Sequence, residues 1–265
     1  MESSQIVLAF ILTAIAGLST GIGSLIALIA KHTNTKFLCA SLGFSAGVMI
    51  YVSFMEMIPQ AKIELVSVFD EKLGTLYLIL AFFGGMLLIN LIDFLIPDTA
   101  VNPHEIQGVE DMNKKGKLKR TGLMVALSIA IHNFPEGIAT FTSALGSLDV
   151  AIPITVAIAI HNIPEGIAVA VPIYHSTGSR RKAFWYSFFS GLAEPFGALI
   201  AYFFLLQFWT PMMNGIILAA VSGIMIFISL DELLPSAEKY GKHHISIMGL
   251  VSGMLLMAFS LYLFI

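Results

Sequence analysis

The stretch His132-Asn133-Phe134-Pro135-Glu136-Gly137 recurs as His161-Asn162-Ile163-Pro164-Glu165-Gly166, and both copies lie inside long apolar runs. Imidazole, amide and carboxylate side chains are ligands for divalent cations, and burying them in hydrocarbon costs on the order of several kcal/mol without compensation. The compensation expected here is a metal ion. In each copy the histidine stands four residues before the glutamate and the asparagine three, so all three share adjoining parts of one helix face. Glu136 and Glu165 can each reach two ions, one on the His side and one on the Asn side. Two ions about 3.5 to 4 Å apart, held by shared carboxylates, are stereochemically reasonable. Their mutual repulsion would keep either from being held too tightly to leave.

Pro135 and Pro164 cannot donate a backbone hydrogen bond and free the carbonyls of Ile131 and Ile160. Glu194-Pro195 repeats the theme of a carboxylate beside a proline and offers a further ligand near mid-membrane. Nitrogen and carboxylate ligands without thiolate suit zinc, iron(II), manganese or cobalt and argue against copper(I). Cys39 is the single cysteine, so one chain has neither a disulfide framework nor a thiolate cluster.

These residues must be positioned by membrane helices. The chain is 57% hydrophobic and 12% charged with mean hydropathy +0.87, far from the roughly 25% charge of a soluble domain. Runs long enough to cross a bilayer stand at about 5–30, 37–60, 74–96, 122–146, 150–173, 184–207, 212–235 and 245–264. The fold expected is an all-α membrane protein of eight transmembrane helices in one domain, 1–265. Residues 1–5 lack the basic n-region of a signal peptide, so the first run reads as a retained helix. The connection at about 97–121, with His104, reads as a solvated cytoplasmic loop.

Lysine and arginine fall on one side. Twelve lie in the connections after helices one, three, five and seven (Lys31, Lys36, Lys114, Lys115, Lys117, Lys119, Arg120, Arg180, Arg181, Lys182, Lys239, Lys242), and only Lys62 and Lys72 lie opposite. The positive-inside rule then puts both termini outside the cytoplasm. Topology explains the basic loops, so nucleic-acid binding has no support, and the net charge of −3 specifies no partner.

Internal matches set the architecture. Residues 17–27 match 191–201, 46–61 match 222–237, and Gly85-Met86-Leu87-Leu88 matches Gly253-Met254-Leu255-Leu256. Helices one to three thus repeat as six to eight in the opposite sense, around helices four and five, a 3+2+3 inverted repeat of the kind that places a transported substrate near mid-membrane. Glycines at small-xxx-small spacing, such as Gly43 and Gly47, signal close helix packing. Glu56 and Asp231-Glu232 end the matched second and seventh helices, and Asp93 lies near the cytoplasmic end of helix three. They either guide ions at the two mouths or are simply solvated. The 13 methionines fit adaptable packing.

The two HNxPEG motifs, Gly191-Leu192-Ala193-Glu194-Pro195 and Ser53-Phe54-Met55-Glu56-Met57-Ile58-Pro59 resemble the ZIP (Zrt-, Irt-like) family of metal-ion importers over all eight helices. The resemblance implies a ZIP-like fold in a bacterial plasma (inner) membrane, with import of zinc, and also iron(II), manganese, cobalt or cadmium, into the cytoplasm. It implies that one ion uses His132, Glu136, His161, Glu165 and Glu194, and a second Asn133, Glu136, Asn162, Glu165 and Glu194. Family models move the block of helices one, four, five and six against the others; a homodimer is a candidate assembly. Two other classes stay open: an intramembrane metal-dependent enzyme, although no HExxH occurs, and a sensor that binds metal without flux.

Overall fold

The computed structural model describes residues 3–29, 35–95, 115–240 and 242–263, all helical apart from short connections, with no strand among them. The helices are α1 (Ser3–Ile29), α2 (Thr35–Val68), α3 (Glu71–Leu95), α4 (Lys115–Gly146), α5 (Leu148–Thr177), α6 (Arg180–Phe208), α7 (Pro211–Glu238) and α8 (His243–Leu263). Among the described residues α1, α2, α3, α5, α6, α7 and α8 are long and apolar enough to cross a membrane. At 32 residues α4 is about 48 Å long at 1.5 Å per residue, and it carries the first polar motif.

Local chemistry sets the tight connections. Asp70 Oδ1 accepts from the Leu73 N–H at 2.8 Å and Thr210 Oγ1 from the Met213 N–H at 3.2 Å, each satisfying a donor that the first turn leaves free. Pro211 follows Thr210, where its missing N–H is harmless. Gly178 closes α5 at φ 64°, its N–H on the Tyr174 carbonyl at 2.8 Å, a left-handed cap that favours glycine.

The distribution of polarity is inverted relative to a water-soluble bundle. Large apolar side chains point outward, among them Phe83, Leu87, Leu255 and Phe259, while His132, Asn133, Glu136, His161, Asn162, Glu165 and Glu194 are all buried. Such an outer surface is stable against lipid, not water.

Helices meet through glycines, and the contacts come in matched pairs. Gly47 lies against the Leu250 carbonyl and Gly223 against that of Phe82; Gly253 lies against Phe44 and Gly85 against Ala220. Each second contact is the first one transposed by the sequence repeats. The same holds at the centre, where Gly137 abuts the Glu194 carbonyl and Gly166 that of Thr20. In every case a Cβ would overlap the facing backbone, so Gly47→Leu is expected to cost about 1 to 3 kcal/mol or more by overpacking. Thermal unfolding of the purified protein in detergent checks this, and an unchanged midpoint would contradict it.

Four features differ from the sequence reading. The helix expected at 122–146 begins at Lys115, so 115–121 is helix rather than loop; His104 and residues 97–114 of the expected loop lie outside the described residues, as does Lys31. Helix two runs on to Val68. Both α2 and α7 contain a π turn, Ser53–Met57 and Ser229–Leu233, at repeat-matched positions. Helix six is interrupted at Leu192, and Glu194 sits in the first turn of the segment that restarts at Ala193, whereas α4 and α5 stay helical through Pro135 and Pro164.

Candidate metal centre

The two motif helices pack side by side and exchange partners. His132 Nε2 lies 3.3 Å from Glu165 Oε2, and His161 Nε2 lies 3.3 Å from Glu136 Oε2. The histidine of each copy therefore meets the glutamate of the other, an exchange that helical spacing within one copy could not reveal. The asparagines obey the same relation: Asn133 Nδ2 donates to the Ser190 carbonyl at 3.4 Å and Asn162 Nδ2 to the Ala16 carbonyl at 3.0 Å, and residues 190 and 16 are repeat mates. Asn162 alone also donates to Glu194 Oε1 in a short contact, because Thr20, the counterpart of Glu194, has no carboxylate. Glu194 thereby joins the site from α6.

Close backbone packing supports this convergence. Gly137 lets α4 settle onto the Glu194 backbone, and Gly166 lets α5 settle onto α1 at Thr20. Ser187 Oγ donates to the Gly166 carbonyl at 3.1 Å. Ser45 Oγ donates to the His161 carbonyl at 3.2 Å, next to the Ile160 carbonyl that Pro164 leaves without its helical donor.

The donor inventory includes several buried acceptors without a partner. Unpartnered buried side-chain atoms include His132 Nδ1, Asn133 Oδ1, Glu136 Oε1, Asn162 Oδ1, Glu165 Oε1 and Glu194 Oε2. Buried acceptors of this kind are normally satisfied, and an excess of carboxylate and amide oxygens suits a positive ion. Among the described residues no three His, Cys, Asp or Glu side chains have the spacing of a metal site; the arrangement is two His–Glu pairs with Asn162–Glu194 beside them.

The other carboxylates lie apart. Glu56 is half-buried in the π turn of α2, and Glu232 is half-buried in the matched turn of α7, while Asp231 is exposed and Asp93 half-buried on α3. Ser53 Oγ, in the π turn of α2, contacts Met225 Sδ on α7 at 3.7 Å, a packing role for that thioether. Neither the π turns nor the serine donors carry a sequence signal; hydroxyl residues are common in such helices.

A model of the ZIP zinc transporters matches residues 98–261. The chain is 62% identical over 264 residues to the zinc transporter ZupT of Streptococcus mutans, covering 99% of this chain and 100% of that protein. It is 56% identical over 279 residues to ZupT of Clostridium perfringens, covering 99% and 98%, and 52% identical over 277 residues to ZupT of Nitratidesulfovibrio vulgaris, covering 100% of both. Buried, reciprocally paired metal-ligand side chains in a multi-pass helical membrane protein accord with this likeness: the chain belongs to the ZIP zinc transporter family.

Proposed function

We propose that this protein imports zinc across the bacterial plasma membrane into the cytoplasm through a binuclear site on α4, α5 and α6. The observation that carries the reading is the pair of crossed His–Glu contacts with Glu194 attached through Asn162. Two negative carboxylates placed symmetrically between two imidazoles, with a third from α6, replace the water shell of a doubly charged ion. In the assignment, His132, Glu136, His161, Glu165 and Glu194 take one ion, and Asn133, Glu136, Asn162, Glu165 and Glu194 the second.

The proposal includes eight transmembrane spans in a single domain, 1–265, with the 3+2+3 inverted repeat and both termini outside. Paired glycine contacts and repeat-matched π turns support it. Glu56 and Glu232 then face opposite mouths. A groove of about 580 Å³, lined by Leu88 and Ile224 on one side and Phe134, Pro135 and Phe196 on the other, opens beside the contact of α7 with α4. It marks the seam along which the two blocks would slide.

Reconstituted vesicles loaded with a metal-sensitive dye test the reading. Externally added zinc is expected to enter, with iron(II), manganese, cobalt and cadmium also accepted because the donor set does not separate them sharply. Zinc binding to the protein without dye response, or cleavage of a membrane substrate in place of flux, would replace this function with a sensor or an enzyme.

A further inference from the structure

Outside the metal centre, the unpartnered buried polar atoms among the described residues fall mostly on α4 and the residues that adjoin its end, the exceptions being Thr20 Oγ1 on α1 and Ser246 Oγ on α8. The main group includes Thr140 Oγ1 and Ser143 Oγ on α4, Asn214 Oδ1 on α7 and Glu64 Oε2 on α2. Thr140, Ser143 and Asn214 are at most 1% exposed. Thr140 and Ser143 stand four and seven residues beyond Glu136, within about 40° of it around the helix at 100° per residue. They continue the Glu136 face toward the end of α4.

At that end the run changes helix. A Cβ on Gly146, one turn past Ser143, would stand 3.6 Å from Asn214 Nδ2. Asn214 Nδ2 donates to Glu64 Oε1 at 2.9 Å, and Gln60 Nε2 donates to the same oxygen at 3.0 Å. Both donors converge on one carboxylate oxygen and leave the other, with the Asn214 carbonyl, as a pair of acceptors. Trp209 Nε1, a donor near Gly146, also lacks a partner and suits a water of hydration rather than the ion.

Two comparisons within the molecule argue against ordinary helix packing. Most buried hydroxyls elsewhere among the described residues have a partner, commonly on their own helix: Thr13 bonds to Ala9 at 2.9 Å, Thr155 to Ala151 at 2.7 Å, Ser222 to Leu218 at 2.7 Å, and Thr142, between the two residues in question, to Ala139 at 3.3 Å; Thr20 and Ser246 are the other exceptions. Thr140 and Ser143 forgo that bond. The internal repeat supplies the second comparison. The mates of Thr140 and Ser143 on α5 are Val169 and Pro172, and the mate of Asn214 on α2 is Leu38. The polar run is thus confined to one half of an otherwise paired architecture.

Resting on the proposed import and topology, we propose that Glu64 and Asn214 form an outer cation-loading site, and that Thr140 and Ser143 relay the partly hydrated divalent ion from it to Glu136. All four offer neutral or singly charged oxygens, which hold a divalent transition metal weakly and let it keep water. A weak station at the entrance and strong ligands at the centre give a descending path. With Thr140, Ser143 and Asn214 buried and Glu64 half-buried at the entrance, the path is closed in this conformation and opens when the α4 block moves against α2 and α7.

The test uses the full chain in proteoliposomes. Thr140→Val combined with Ser143→Ala removes both hydroxyls at nearly constant volume and is expected to slow zinc uptake about tenfold, a barrier change of the size a few lost oxygen contacts produce. Equilibrium zinc binding in detergent should stay unchanged, and Thr142→Val should transport normally. In a Cys39→Ala background, Ser143→Cys should react with a charged, membrane-impermeant thiol reagent added outside, zinc should slow that reaction, and Thr142→Cys should not react. Full-rate uptake by the double variant, an equal loss in Thr142→Val, or a Ser143→Cys that stays silent in a transporting protein would each overturn the relay. If the unaltered protein moves no zinc, the import reading itself fails.

Discussion

Converting Glu136 and Glu165 together to alanine is expected to reduce zinc uptake to the leak of empty vesicles. Each carboxylate is the partner of the other copy's histidine and, in the proposed assignment, a bridge between both ions, so the pair contributes to every metal bond at once. Without them the remaining charge at the centre is Glu194 alone, too little to offset the desolvation of a doubly charged ion in hydrocarbon. The effect should exceed about 100-fold, or 2.7 kcal/mol in the transport barrier. The histidines left behind can stay neutral, so the fold should persist; retained helicity and a monodisperse elution profile would separate lost transport from lost structure. The matched Gln pair should be equally inactive, because it restores volume but not charge. Uptake near the unaltered rate in either variant would remove these residues from the path.

Glu194→Gln is expected to weaken zinc binding by about 10- to 100-fold, at least the effect typical of altering a residue just outside a metal's own ligands. The amide preserves shape and an oxygen to accept from Asn162, so Gly137 can still pack on the backbone of residue 194. What changes is the charge, and with it the only carboxylate from α6 in the assignment. Calorimetric titration of the detergent-solubilised protein should show lower affinity and fewer zinc ions per chain, because Glu194 is assigned to both ions. Unaltered affinity and stoichiometry would mean that Glu194 only anchors Asn162. The reciprocal change, Thr20→Glu, is not expected to compensate, since Thr20 packs its backbone against Gly166 on the opposite side of the pseudo-symmetric pair.

What the sequence determined by itself is which side chains are candidates for the proposed site, and the pairing of the halves. Helical periodicity forces His132, Asn133 and Glu136 onto one face, hydropathy puts that face in a membrane, and the repeats foretell which helices mirror which; the glycine contacts follow that pattern residue by residue. What only the tertiary structure decided is which face meets which. Spacing along one helix fixes angular relations on that helix and nothing about its neighbour, so the exchange of partners between the motifs and the donation of Ser45 to the His161 carbonyl depend on docking. The same holds for Thr140 and Ser143, whose hydroxyls resemble every other small polar residue in the chain until packing shows that they are buried without returning a bond to their own helix. The π turns belong there too: a one-residue insertion in the hydrogen-bond ladder is set by what the helix packs against, and no residue type announces it.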